Sequence, residues 1–144
     1  MNKEVYIAVD FDGTVVTHDY PLVGKDVPDA VDVLLDIQAN GHKIILNTMR
    51  SDEKLEEAAN WFKKRGIELY GVNENPSQKI WTKSPKIYAH RYVDDAAIGC
   101  PLIYNIDGVF YDEEFPIHPR AYVDWVAVRY EFVELGILKE KVNE

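Results

Sequence analysis

Four carboxylates stand directly after short apolar runs in this sequence, accompanied by hydroxyl, amide and guanidinium groups. Asp10, Asp12, Gly13 and Thr14 follow Val5-Tyr6-Ile7-Ala8-Val9. Asn47, Thr48 and Arg50 end a second run that starts at Lys43, and Asp94 and Asp95 end a third, Arg91-Tyr92-Val93. If the runs are neighbouring parallel strands, the acids share one small region although they are far apart in sequence. Two unit charges about 4 Å apart repel by roughly 4 kcal/mol at an effective dielectric near ~20. Such a cluster needs protons or a cation. One acid after a strand would be read as a turn or helix cap, but two pairs of them point to a site.

Oxygen donors with no nearby Cys or His pair favour Mg²⁺ over zinc. The set also suits phosphoryl transfer. One carboxylate can attack phosphorus, and a second can protonate the leaving oxygen and then activate water. A cation and a lysine can neutralise the phosphoryl oxygens.

The elements that must position these groups follow from periodicity. The run Val5–Val9 is too short for a typical helix and reads as a buried strand. A turn-rich stretch extends from Asp10 to about Val27. Pro28 suits the first turn of a helix with Val31, Leu34 and Leu35 on one side, closed by Gly41. Lys43 to Asn47 is the second strand. Ser51 is a good N-cap, Leu55, Ala58, Ala59 and Phe62 form an apolar stripe, and Gly66 stops that helix. Ile67 to Val72 reads as a third strand and Arg91 to Val93 as a fourth, with loop and at most a short helix over 73–84. A further strand or hairpin is expected between Ile103 and Tyr111, around Asp107-Gly108. A closing helix is expected over Tyr122 to Leu135, with Val126, Tyr130 and Val133 at helical spacing. Alternating strands and helices imply right-handed crossovers and a parallel sheet covered on both faces, in a single domain over residues 1–144. Ligands of such sheets bind beyond the C-terminal strand ends.

The motifs resemble those of the haloacid dehalogenase superfamily. Asp10-Phe11-Asp12-Gly13-Thr14 after its strand is similar to the first motif, Asp-x-Asp-Gly-Thr. Ile44 to Arg50 resembles the second, an apolar strand ending in Thr or Ser, and Tyr92-Val93-Asp94-Asp95 the fourth. The third is a lysine upstream of the fourth. Lys79, Lys83 and Lys86 all lie in the interval, and Lys86 is favoured because it is nearest Asp94 and follows Pro85. Together the motifs run from residue 5 to 95, about two-thirds of the chain.

The resemblance implies a Rossmann-like three-layer α/β/α fold and a Mg²⁺-dependent phosphomonoester hydrolase. It makes Asp10 the nucleophile and Asp12 the general acid/base. Mg²⁺ would bind the Asp10 carboxylate, the Asp12 backbone carbonyl, Asp94 and, directly or through water, Asp95. Thr48 and the Met49 N–H would hold the phosphoryl group. Arg50 could pair with a substrate anion, and His18, Asp19 and Tyr20 would lie in a flap beside the site.

About 33 residues separate Thr14 from Thr48, and about 37 separate Thr48 from Lys86. Neither interval has room for a cap domain, so the chain resembles the capless members. Its substrate would be a phosphorylated small molecule or a bulkier phosphorylated partner, and a second subunit or the C-terminal tail could serve as lid. The alternative is a non-catalytic phosphate- or metal-binding relative acting through a partner.

Composition narrows the remaining classes. With 144 residues, 47% apolar and 28% charged, the chain is an ordinary globular domain. A formal net charge of −9 offers no basic surface for nucleic acid. No apolar run reaches the roughly 20 residues of a membrane helix. Cys100, the single cysteine, excludes an internal disulfide. With no signal-peptide pattern at the N-terminus, these features lead us to expect a cytoplasmic protein. Cys100 is expected to be a small buried residue, His42, His90 and His118 structural or surface histidines, and Trp61, Trp81 and Trp125 packing residues.

Overall fold

The computed structural model describes residues 3–104 and 121–141. Three strands and two helices open the chain in alternation: β1 (Tyr6–Val9), α1 (Ala30–Ala39), β2 (Lys43–Leu46), α2 (Asp52–Lys64) and β3 (Leu69–Val72). A 3-10 helix (Pro76–Ile80) leads to β4 (Arg91–Val93), and a short antiparallel pair, β5 (Leu102–Ile103) and β6 (Tyr122–Val123), precedes α3 (Trp125–Glu134).

The main sheet is parallel, in the order β3-β2-β1-β4. From β1 to β3 the chain moves steadily outward in one direction. It then returns to the far side of β1 to lay down β4. With right-handed crossovers, this reversal puts the returning connection on the opposite face from α1 and α2. The packing follows that rule. Ile7, Val9, Ile44, Leu46 and Val93 share one core with the buried residues of all three α-helices. Ala8 and Ile45, on the other face, pack against Ile87 and Ala89. That second layer is thinner than expected. It is built from the 3-10 helix and irregular chain, tied down by Gln78, which accepts from the Tyr88 N–H and donates to the carbonyls of Ser84 and Lys86. The fold is thus a Rossmann-like α/β arrangement, a parallel sheet flanked by helices.

The reversal also makes a crevice. The connection leaving β1 and the connection entering β4 lie on opposite faces, so the strand order reverses between β1 and β4, the position beyond whose C-terminal ends open α/β sheets bind ligands. Ladder bonds continue one residue past the strands: the Asp10 N–H donates to the Val93 carbonyl, Asn47 to Val9 and Asn73 to Leu46. Residues 10, 47 and 94 therefore emerge at one level.

Three sequence expectations are corrected in detail. The buried side of α1 is Ala30, Val33, Leu34 and Ile37, while Val31 and Leu35 are only partly covered. In α2, Trp61 joins Ala58 and Phe62 in the core. The closing helix starts at Trp125 and buries Trp125, Val128 and Phe132, whereas Val126 and Tyr130 are exposed. Apolar residues lie all around that helix, so spacing alone selected the wrong face. Trp81 is exposed and meets only the edge of Tyr88. The hairpin expected around Asp107-Gly108, and His118, lie outside the described residues. Among the described residues, no helix is long and apolar enough to cross a membrane.

Trp125 couples the closing helix to the first strand's loop. Its Nε1–H donates to the Thr14 carbonyl at 2.7 Å, with both groups buried. Trp125→Phe leaves that carbonyl unsatisfied and should cost about 2 kcal/mol in urea denaturation. Tyr130→Ala on the exposed side should stay within about 0.5 kcal/mol.

Candidate active site

Asp10, Asp94 and Asp95 converge just beyond the C-terminal ends of β1 and β4. Each offers a carboxylate oxygen, and the three oxygens lie within 4.8 Å of one another. Thr14 organises the group. Its hydroxyl donates to Asp10 Oδ2 at 2.9 Å and accepts the Asp95 N–H at 3.2 Å. Asp94 Oδ1 accepts the Ala96 N–H, as a residue opening a turn does.

Electrostatics record the crowding. Burial, with the charges of Asp94 and Asp95 adding to it, pushes the Asp10 pKa up to about 8, against the opposing bond from Thr14. Asp95 is half-buried, but the bonds from His18 and Asp10 outweigh that burial and hold it below the usual carboxylate range. His18 Nε2 lies 2.8 Å from Asp95 Oδ2, and this bond raises the imidazole pKa despite burial. The donor set is all oxygen, which suits a hard divalent cation. Such an ion would supply the charge that Asp10 otherwise takes from a proton.

Residues 11–27 fold over this cluster as a two-stranded ribbon. Val16 bridges Asp26, the Thr17 N–H donates to the Lys25 carbonyl, and Val27 N–H donates to Val15. Gly13 makes the close approach possible. It has φ +80°, and a Cβ there would collide with the His18 ring and the Asp95 carboxylate. His18 therefore belongs to the acid cluster rather than to an outlying contact surface, while Asp19 accepts from the Thr17 hydroxyl.

Asp12 is held differently. Arg50 Nε donates to its Oδ2 and Nη2 to its Oδ1, both at 2.8 Å. Arg50 Nη2 also donates to the Leu22 carbonyl, Nη1 reaches the Lys54 carbonyl, and Glu57 lies 3.9 Å away. A guanidinium has five N–H donors, and these partners engage every nitrogen. Arg50 is only 3% exposed. The expectation that it meets a substrate anion is thus corrected: its charge is already committed to Asp12.

On the other side of the cluster lies a cavity of about 580 Å³, lined by Asn47, Thr48, Asn73, Lys86, Tyr92 and Asp94 among others. Of the three candidate lysines, Lys86 lines it, with its ammonium 5.9 Å from the centre of the Tyr92 ring. Lys79 pairs with Glu74 instead, and Lys83 lines a separate small cavity. The Thr48 N–H is taken by Asn73 Oδ1 and its hydroxyl accepts the Arg50 N–H. Met49 is fully exposed. Asn73 is the contributor that the sequence did not single out, while Thr14 was noted as part of the first motif and His18 as part of a flap beside the site. An Asn directly after β3 was the available signal.

Among the described residues, the other two histidines are structural. His42 accepts the Val5 N–H and donates to the Ile137 carbonyl, and His90 accepts the Tyr6 N–H. Cys100 is half-buried, and burial raises its thiol pKa.

No family model matches the chain, and no curated protein does. Among solved structures, a conserved protein coded by a locus from Bacteroides thetaiotaomicron matches with a TM-score of 0.70 and 31% identity. The alignment covers 93% of each chain. This chain belongs to the family of that conserved Bacteroides protein. Similarity over nearly the whole length means that the two chains share the overall fold.

A raised carboxylate pKa makes stability depend on pH. Asp10 is ordinary when unfolded and holds its proton to about pH 8 when folded without metal. Its contribution is present below about pH 4 and is lost as pH rises towards about 8. His18, also raised, adds loss of the same sign above about pH 6.5. In EDTA, the melting temperature should fall by roughly 5 °C or more between about pH 5 and about pH 8. Asp10→Asn should flatten most of this slope, as should a divalent cation.

Proposed function

We propose that this protein is a Mg²⁺-dependent phosphomonoester hydrolase of the haloacid dehalogenase type, capless, acting through an aspartyl-phosphate on Asp10. The observation that carries the reading is the convergence of Asp10, Asp94 and Asp95 within 4.8 Å beyond the C-terminal ends of the adjacent strands β1 and β4. A structural cluster of this kind would be self-defeating without a counter-charge. Lys86 and Thr48 on the adjoining cavity offer a place for the phosphoryl oxygens.

In the first step an Asp10 carboxylate oxygen attacks phosphorus, the bond from phosphorus to the ester oxygen breaks, and Asp12, protonated on one of the lone pairs that the Arg50 bonds leave free, gives that oxygen a proton. In the second step Asp12 takes a proton from water as its oxygen attacks phosphorus, which frees inorganic phosphate and restores Asp10. Mg²⁺ would be held by Asp10, Asp94, Asp95 and the Asp12 carbonyl and would supply positive charge for the phosphoryl oxygens. Lys86 supplies a second positive charge, and its contact with the Tyr92 ring fixes the direction of approach.

Neither the ribbon over residues 11–27 nor the 3-10 connection is large enough to be a cap. An uncapped site excludes water poorly, and broad selectivity among small phosphomonoesters follows. The wild-type chain should hydrolyse p-nitrophenyl phosphate with Mg²⁺ and lose the activity in EDTA. Asp10→Asn should reduce kcat by at least about 10³-fold. A wild type that binds Mg²⁺ and phosphate but turns nothing over would favour the non-catalytic reading.

A further inference from the structure

We infer that Arg50 is a positioning residue, one that locks the acid/base Asp12 and the overlying ribbon into a single rigid unit. The inference rests on the phosphatase reading for Asp12 and goes beyond it, because it assigns Arg50 a part in leaving-group departure rather than in substrate binding.

Left to itself, an Asp carboxylate turns freely, since the torsion next to a planar group is broad and shallow. Two parallel N–H bonds from one guanidinium remove that freedom and fix the carboxylate plane. The guanidinium is itself immobilised. It lies between the rings of Phe11 and Tyr20, 4.9 and 5.0 Å from their centroids. Its third bond goes to the Leu22 carbonyl, so the turn in which the Leu22 N–H donates to Asp19 is held by the same cation that holds Asp12.

Burial makes the arrangement costly to break. Removing one member of a buried ion pair leaves the other uncompensated. A surface pair such as Lys54 with Glu57 has no such consequence. Lysine cannot substitute, because a point charge makes neither the paired bonds nor the ring contacts. Arg50 has no bond to Asp10, Asp94 or Asp95, and it holds the Asp12 side chain rather than its carbonyl, so its removal should leave the three carboxylate ligands of the cation in place.

The consequence is selective. A misaligned Asp12 matters most when the leaving oxygen needs a proton in order to depart, and least when it leaves readily as an anion. Alkyl phosphates are the first kind and p-nitrophenyl phosphate is the second. The test compares kcat and KM of wild type and Arg50→Lys on glycerol phosphate and p-nitrophenyl phosphate at saturating Mg²⁺. Mg²⁺ affinity is followed by calorimetry. The expected result is a fall in kcat of about 100-fold on the alkyl ester but under about tenfold on the aryl ester. KM and Mg²⁺ affinity should stay near wild type.

Tyr20→Leu keeps the test decisive should Arg50→Lys not fold. Tyr20 is 62% exposed, so its loss leaves the core intact, and it should lower kcat a few-fold with the same bias towards the alkyl ester. Equal loss on both esters, or a loss confined to KM, would overturn the inference while leaving the phosphatase reading in place. A wild type inactive on both esters would overturn both.

Discussion

Repulsion among three carboxylates is the constraint around which the rest of this molecule is arranged. Strand order brings them together: β1 and β4 are parallel neighbours where the order of the sheet reverses, and the chain places acids directly after both strands. Nothing in the hydrophobic core requires those acids. The core is already complete with Ile7, Val9, Ile44, Leu46 and Val93 against the helices. Without a cation the cluster copes by keeping a proton on Asp10 and by drawing His18 onto Asp95. Both are compensations that a bound divalent ion would make unnecessary.

Two separate networks surround the cluster, and their division of labour follows from charge. One belongs to the cation side, where Thr14 links Asp10 to the Asp95 backbone and Trp125 holds Thr14 from beneath. The other belongs to Asp12, which faces a buried guanidinium instead of a metal. Asp10 and Asp12 are two residues apart, yet their environments differ in kind. Only Gly13 separates Asp12 from Thr14, and its positive φ turns the chain sharply enough to let His18 close over Asp95.

Much of this was legible in the sequence, for physical reasons that can be named. Short apolar runs ending in Asp or Asn mark buried parallel strands, and β1, β2 and β4 begin and end within a residue of expectation. α2 announced itself by acids in its first turn, lysines in its last and a glycine beyond. Lys86 could be preferred because it is close in sequence to β4, and it is the one of the three that lines the cavity. The failures share a cause as well. α3 is apolar on several sides, so its buried side depended on which neighbours happened to pack there. Arg50 was misread because its partners, Asp12 and Leu22, are 38 and 28 residues away in sequence. The second layer was legible only as loop with at most a short helix over 73–84, which the 3-10 helix matches, while the side-chain bonds from Gln78 and Asn75 that hold it leave no periodic trace.

The account stands on one spatial claim, that Asp10, Asp94 and Asp95 jointly hold a divalent ion. Crystals of the protein grown with Mn²⁺, measured for anomalous scattering, test it directly. The account predicts a single strong peak within about 2.0–2.4 Å of oxygens from Asp10 and Asp94, with Asp95 coordinated directly or through one water. A well-ordered site with no peak there, or with the ion bound elsewhere, would contradict it.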